Sequence, residues 1–171
     1  MDGRQGPSRR CSADGVSENE AVGEAIDTGG GLQPVTEGEW AGWSTWKSDA
    51  FEQRAGPFYE KVDENGDRIA AFRADPCHMN GAGFMHGGCL MTFADSAIFT
   101  IAGDALAGSH GVTMNLSADF LDAAETGQMM VARGEVTRAG GKTIYVRGII
   151  TADTKPVLSF TGIIRKITRC V

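Results

Sequence analysis

The sequence predicts an α+β fold in which one antiparallel β-sheet curls around a single long apolar helix. A hairpin pattern comes first, one helix with a wide apolar stripe follows it, and segments of alternating polarity complete the chain. With 171 residues, of which 42% are hydrophobic, the chain is long enough for one domain with its own core. In such a layout the helix supplies most of the core.

The N-terminal part divides into a tail and a helix. Residues 1–36 are rich in Gly, Ser, Asp and Glu with almost no large apolar residues, which predicts a disordered tail ahead of a domain at residues 37–171. Within residues 37–54, Trp40, Trp43 and Trp46 recur at roughly helical spacing, which predicts an extra amphipathic helix. Such a stripe more often packs against a sheet than binds an aromatic ligand or a partner.

The hairpin and the long helix come next. Residues 57–62 and 68–74 read as two strands, and Asn65-Gly66 between them supplies the backbone angles of a tight turn. From Gly88 to near residue 103 the apolar residues form one wide stripe, so this helix should be largely buried.

Four segments of alternating polarity follow the helix. They are residues 110–121, 128–138, 143–151 and 157–168. Glycine-rich or proline-containing turns separate the last three, which predicts a four-strand meander.

Composition excludes several function classes. A net charge of −6 argues against nonspecific nucleic-acid binding, which needs an excess of Lys and Arg. No apolar run reaches the length of a signal peptide or a membrane span. The four cysteines show no close-paired framework, so we expect free thiols and a cytoplasmic protein.

The residues with chemical potential lie around the start of the long helix. Gly87 and Gly88 would let a carbonyl or oxyanion approach the helix-start amides without a side chain intervening. Two turns further on, Asp95 interrupts the apolar pattern. From these residues alone, Asp95 is more often a solvated side chain, and a glycine pair at a helix start is commonly structural.

The spacing of these residues carries a family resemblance. His86-Gly87-Gly88 follows Asn80 by six positions, and Asp95 follows His86 by nine. With the alternating strand after the helix and the glycine turn at residues 138–142, this segment resembles the hotdog-fold thioesterase superfamily, in its PaaI-like (phenylacetic acid degradation) branch. The resemblance covers about residues 58–166.

The resemblance implies an enzyme that hydrolyses an acyl-CoA thioester to the free acid and coenzyme A. It implies a homodimer, with further association to a homotetramer left open, and active sites at the subunit interface. Asn80, His86 and Gly87 of one subunit would face Asp95 and Thr113 of the other. Asp95 would act as general base or nucleophile, and the Gly87 amide would polarise the thioester carbonyl. His86 would hold the loop or polarise the substrate.

The remaining site assignments are also implied by related enzymes. Asn80 would orient the water or the carbonyl, and the Thr113 hydroxyl would position the water. Gly88, with Arg138 and Lys142 beside the glycine turn, is the candidate binding set for coenzyme A, although such cations are as often ordinary solvated charges. Coenzyme A is part of the substrate, so no separate cofactor or metal is required. Further basic candidates are Arg165, Lys166 and Arg169.

Substrate type and reaction class leave alternatives open. Met79, Phe84 and Met85 indicate an apolar acyl site, which suits aryl and fatty acyl groups alike. A hydratase or dehydratase on the same fold would use a His with an acidic residue, and a noncatalytic acyl-CoA-binding protein would use none of this chemistry.

A metal site is a further alternative reading. Two Cys and two His can form a zinc shell, and the chain offers Cys77, His78, His86 and Cys89. The adjacent pair Cys77-His78 is uncommon spacing for zinc, which weighs against this reading.

Overall fold

The computed structural model describes residues 31–106 and 108–167. Eight strands form one antiparallel sheet: β1 (Gln33–Pro34), β2 (Ser44–Thr45), β3 (Tyr59–Val62), β4 (Arg68–Arg73), β5 (His110–Phe120), β6 (Met129–Ala139), β7 (Thr143–Ala152) and β8 (Lys155–Ile167). The helices are α1 (Glu52–Ala55), α2 (Gly87–Ile101) and α3 (Gly103–Leu106), with a 3-10 turn at Pro76–His78. Residues 1–30 of the predicted tail and Arg169 lie outside the described residues.

The predicted boundary at residue 36 falls inside the described structure. β1 pairs with β2, Pro34 opposite Ser44, so the sheet takes in the last residues assigned to the tail.

Strand order in the sheet is β1-β2-β3-β4-β6-β7-β8-β5. The hairpin of β3 and β4 is where the sequence predicts it, with Tyr59 opposite Ala71. The predicted four-strand meander is wrong in one respect, because only β6, β7 and β8 follow one another. α2 crosses the face of the sheet, so the chain that leaves it enters at the far edge as β5 and pairs with β8.

The long helix α2 supplies much of the core, as predicted. Its buried residues are Leu90, Phe93, Ala94, Ala97, Ile98, Thr100 and Ile101. Gly162 on β8 faces it closely, since a Cβ at that glycine would lie 2.8 Å from Ile98 Cγ2. The absence of a side chain at Gly162 therefore lets α2 pack closely on the sheet, and this contact sets the distance between the helix and the sheet.

The predicted N-terminal helix over residues 37–54 is wrong apart from α1, which has four residues. Gly38 and Gly42 adopt positive φ angles of 75° and 85°, which turn the chain into the β1-β2 hairpin instead of a helix. Trp40 packs against the sheet from a turn, because its ring stacks on Tyr59 of β3 at a centroid distance of 4.1 Å, whereas Trp46 is 43% exposed.

Candidate active site

The N-terminus of α2 is capped by the side chain of His86. The Nδ1 atom of His86 accepts a hydrogen bond from the Gly88 amide at 2.9 Å. An accepting Nδ1 places the ring proton on Nε2, so the exposed edge of a neutral His86 is a hydrogen-bond donor. The Gly88 amide is occupied by this contact and is not free to bind a ligand.

The Gly87 amide is the open donor at this helix end. Among the hydrogen bonds of the described residues, none uses it. A Cβ at Gly87 would lie 3.2 Å from the ring of Phe120, so the glycine lets the helix start approach β5 closely. An amide that is unpaired at the positive end of a fifteen-residue helix is suited to receive a carbonyl oxygen or an oxyanion.

Asn80 shapes the loop that leads into α2. Its Oδ1 atom accepts from the amides of Ala82 at 2.9 Å and Phe84 at 3.3 Å. Met79 and Met85 form an isolated antiparallel bridge that closes the base of the loop. The side-chain oxygen of Asn80 therefore serves the loop, and its NH2 group is the part that remains for a ligand.

Asp95 and Thr113 form a direct contact within one chain. The hydroxyl of Thr113 on β5 donates to Asp95 Oδ1 at 2.7 Å. The register of β5 against β8 shifts just after Thr113, at Met114, so this contact sits beside an irregularity in the edge strand. Asp95 lines two cavities of about 350 and 630 Å³, so its carboxylate is accessible to water and to a ligand.

One chain does not bring the two halves of the predicted site together. Gly87 and Asp95 lie on the same helix, eight residues apart, which separates them by about 12 Å along its axis. A thioester carbonyl held by the Gly87 amide therefore cannot be within reach of Asp95 of the same chain.

The edge strand β5 carries exposed apolar side chains. Val112 is 45% exposed, Met114 55% and Phe120 56%. Phe84, in the loop before α2, is 44% exposed as well. An unpaired edge strand with apolar side chains is a surface that proteins normally cover.

The predicted coenzyme A residues lie at one end of the sheet. Arg138 and Lys142 are exposed at the β6-β7 turn. The Lys142 carbonyl accepts from the Lys166 amide at 2.9 Å, and Lys166 pairs with Gly111, two residues before Thr113. The turn therefore lies at the same end of the strands as the Asp95 contact. Gly88, the third predicted member, lies at the start of α2 instead.

Glu52 is a member of the site that the sequence did not reveal. It lies on α1, and it lines both cavities that Asp95 lines. Burial raises the pKa of Glu52, while a hydrogen bond with Ser96, the residue after Asp95, acts in the opposite direction. The pattern in residues 37–54 indicated only packing, because the partners of Glu52 come from a distant part of the chain.

The Cys and His residues of the metal alternative do share a small cavity. Cys77, His78, His86 and Cys89 all line a space of about 240 Å³ beside the start of α2. Across residues 31–106 and 108–167, however, no group of three or more His, Cys, Asp or Glu side chains could hold a metal ion. Burial also raises the pKa of the Cys89 thiol to about 11.

Known proteins are similar to this chain across the candidate site. Residues 82–158 match the family described as the thioesterase superfamily, a range that includes His86, Asp95 and Thr113. The matched range spans a little less than half of the chain and indicates a similarity to this superfamily. The antiparallel sheet around one central helix confirms the predicted α+β hotdog fold, and the match supports the predicted thioester hydrolase.

Three individual proteins are similar to this chain. The Pseudomonas aeruginosa protein named "Putative esterase PA0474" is 29% identical over 123 residues, which cover 69% of this chain and 89% of that protein. The PaaI protein of Escherichia coli, from the phenylacetic acid degradation operon, is 24% identical with a TM-score of 0.62, and the match covers 70% of this chain and 86% of that chain. A hypothetical thioesterase of Streptococcus pneumoniae, solved with coenzyme A, is 22% identical with a TM-score of 0.57, covering 64% and 85%.

Membrane insertion by a helix finds no support in the part of the chain that the structure describes. None of the helices in that part is both long and apolar enough to span a bilayer.

Proposed function

We propose that this protein is a PaaI-like acyl-CoA thioesterase that releases a free acid and coenzyme A. The contact between Thr113 and Asp95, 2.7 Å long and open to two cavities, carries the proposal because it presents a held carboxylate to solvent. The family match to thioesterases and the relatives solved with coenzyme A support the substrate class.

The active site is shared between two copies of the chain. Because Gly87 and Asp95 are about 12 Å apart on one helix, the carbonyl-binding amide must face the Asp95 of a partner. The exposed apolar side chains of β5 supply a surface for that partner. The same strand carries Phe120, whose ring lies against Gly87, and Thr113, which donates to Asp95 of α2. A partner bound along β5 would therefore lie beside both halves of the site. A homodimer is the smallest assembly that completes two such sites.

In the proposed reaction Asp95 removes a proton from a water molecule as that water attacks the thioester carbonyl carbon. The oxyanion that forms accepts from the Gly87 amide, and the Nε2–H of His86 is a second donor at the same helix end. The C–S bond then breaks, and the proton held by Asp95 passes to the departing thiolate. A positioned base contributes roughly 10²–10⁴-fold in rate and an oxyanion donor about 3–4 kcal/mol.

The protonation of His86 favours hydrolysis over the dehydratase alternative. A hydratase or dehydratase needs its His as a general base, which requires a free ring lone pair. In this chain the Nδ1 lone pair of His86 is occupied by the Gly88 amide, and Nε2 carries the proton. His86 is therefore placed to donate and not to accept.

The nucleotide end of the substrate belongs at the basic turn. Arg138 and Lys142 are exposed, and their turn is joined through Lys166 to the end of the sheet where β5 begins. Cations at that position can pair with the phosphates of coenzyme A.

Hydrolysis of a panel of acyl-CoA thioesters tests the proposal. Phenylacetyl, hydroxybenzoyl and short, medium and long fatty acyl-CoA are offered to the wild type and to Asp95→Asn, with a thiol-trapping dye as readout. We expect turnover of at least one member and a loss of at least 10²-fold in the isosteric variant. Failure of the folded wild type to hydrolyse any member would refute the proposed activity.

Complementation tests whether the site is shared. His86→Ala and Asp95→Asn are each inactive or weak alone, but a mixed dimer contains one site with an intact His86 and an intact Asp95. Equal amounts refolded together should recover about a quarter of the wild-type activity, because half of the dimers are mixed and each has one intact site. No recovery by a mixture shown to contain mixed dimers would contradict the shared site.

A further inference from the structure

An extra residue interrupts the pairing of β5 with β8 beside the proposed active site. Thr113 lies opposite Ile164 and Asn115 lies opposite Ile163, so the pairing with β8 passes over Met114. Such a bulge bends the strand that carries it and increases its local twist. β5 is the last strand of the sheet formed by the described residues, so the bulge lies on an edge that no strand of this sheet covers.

The fold itself does not require this extra residue. Ile164 and Phe160 of β8 are buried in the core that α2 covers. Thr113 and Ala118 lie opposite them on β5, so both face α2. On a regular strand two residues of one face are an even number of positions apart, yet these two are separated by five. Deleting Met114 would restore regular alternation and leave the pairing on both sides of it unchanged.

Packing does not account for Met114 either. Its side chain is 55% exposed, so it fills no space in the core. The residue before it has a contact at the proposed site, because the Thr113 hydroxyl donates to Asp95 Oδ1 at 2.7 Å, between the edge strand and the third turn of α2. Bulges beside active sites commonly re-aim a neighbouring side chain. A bend at this point of β5 changes the direction in which Thr113 presents its hydroxyl.

We propose that Met114 is a positioning residue, which by its place in the bulge turns the Thr113 hydroxyl towards Asp95. This inference rests on the proposed function, because the direction of that hydroxyl matters for hydrolysis only if Asp95 is the base. In a straightened strand Thr113 keeps its place opposite Ile164, but its hydroxyl no longer reaches the carboxylate. Met114 acts through Thr113 and not on the substrate, so its backbone position matters and not its thioether.

Deletion of Met114 tests the proposal, because it removes the bulge and keeps the register. We expect a folded protein whose kcat falls about tenfold with KM nearly unchanged, the same loss that removal of the Thr113 hydroxyl should cause. Because both changes break one hydrogen bond, Thr113→Val should cost no further activity in the deletion background. A further tenfold loss there, or a deletion variant as active as the wild type, would overturn the proposal. A deletion variant that does not fold would overturn it too, since the register would then depend on Met114.

Carbon NMR of the Asp95 carboxyl group tests the contact without any turnover. In uniformly labelled protein, Thr113→Val defines how far the carboxyl signal moves when the hydroxyl is lost, and deletion of Met114 should move it equally far. Deletion of Thr137, the extra residue of a second bulge in β6, is the matched control and should leave the signal in place. An unmoved signal in the Met114 deletion would refute the proposal.

The two readouts also separate this inference from the proposed function. If deletion of Met114 moves the Asp95 signal but the wild type hydrolyses no acyl-CoA, the proposed function fails while the positioning role of the bulge stands. If the wild type hydrolyses acyl-CoA and the signal does not move, the proposed function stands and the role of Met114 fails.

Discussion

Replacing Thr113 by Val removes a single hydroxyl from the carboxylate that the proposed mechanism uses. The change is nearly isosteric, and Thr113 is exposed in the single chain, so the fold should not depend on it. A hydrogen bond to a charged group contributes about 1.5–3 kcal/mol, and the exposure of this one places it near the lower end. If the hydroxyl holds Asp95 in its reactive orientation, losing about 1.5 kcal/mol in the transition state lowers kcat roughly tenfold.

Thr113→Ser is the matched control, because it keeps the hydroxyl and removes only a methyl group. Thiol release from the best acyl-CoA of the panel, measured at saturating substrate for wild type, Thr113→Val and Thr113→Ser, decides the matter. We expect Thr113→Ser to stay within about threefold of the wild type. If the Val variant is as active as the Ser variant, the hydroxyl does not assist Asp95 and the reasoning is wrong.

Three further predictions follow from packing, assembly and charge. A Cβ in Gly148→Ala would lie 2.4 Å from Phe160 Cζ, so thermal unfolding should begin about 5–10 °C lower, and an unchanged Tm would contradict the packing. Met114→Asp places a charge on the apolar edge of β5, so size-exclusion chromatography should show monomer without activity, whereas Val62→Asp, equally exposed on β3, should stay dimeric. The raised pKa of Glu52 means that its contribution to stability is fully present below the unfolded pKa and is lost as pH rises through the folded value. Glu52→Gln should therefore have a higher Tm than the wild type at pH 7, with the gap closing near pH 4.

The central elements of the fold could be predicted from the sequence because their signals are local. The apolar stripe of α2 and the Asn-Gly turn between β3 and β4 arise from neighbours within a few positions of one another. Pairing between distant strands leaves no such local signal. The placement of β5 beside β8 depends on the path of α2 across the sheet. The alternating polarity of the strands is compatible with a four-strand meander as well, so it could not distinguish the two arrangements.

The prediction of an N-terminal helix was wrong because the backbone conformations of two glycines are incompatible with a helix, whatever the spacing of the tryptophans. Trp40 and Trp43 recur at a helical interval, yet Gly38 and Gly42 adopt φ angles that a helix does not contain. Apolar periodicity reports which residues become buried, and turns on a sheet bury aromatic rings as well as a helix does. The stacking of Trp40 on Tyr59 is the result.

The candidate site shows the same division between local and distant signals. His86, Gly87 and Asp95 were predicted because they lie within one short segment whose spacing resembles a family pattern. The structure adds that His86 uses Nδ1 to cap the helix, which the spacing does not encode. Glu52 was missed because its relation to Asp95 passes through Ser96 and a shared cavity, and neither is visible in residues 37–54.

The length of α2 links the chemistry to the assembly. A helix that carries both the carbonyl-binding amide and the base holds them about 12 Å apart, so neither half can act within one chain. Two chains arranged so that each helix start faces the third turn of the other remove that distance at both sites together. A variant that dissociates the proposed dimer, such as Met114→Asp, should therefore lose the oxyanion donor opposite each Asp95, and with it the activity.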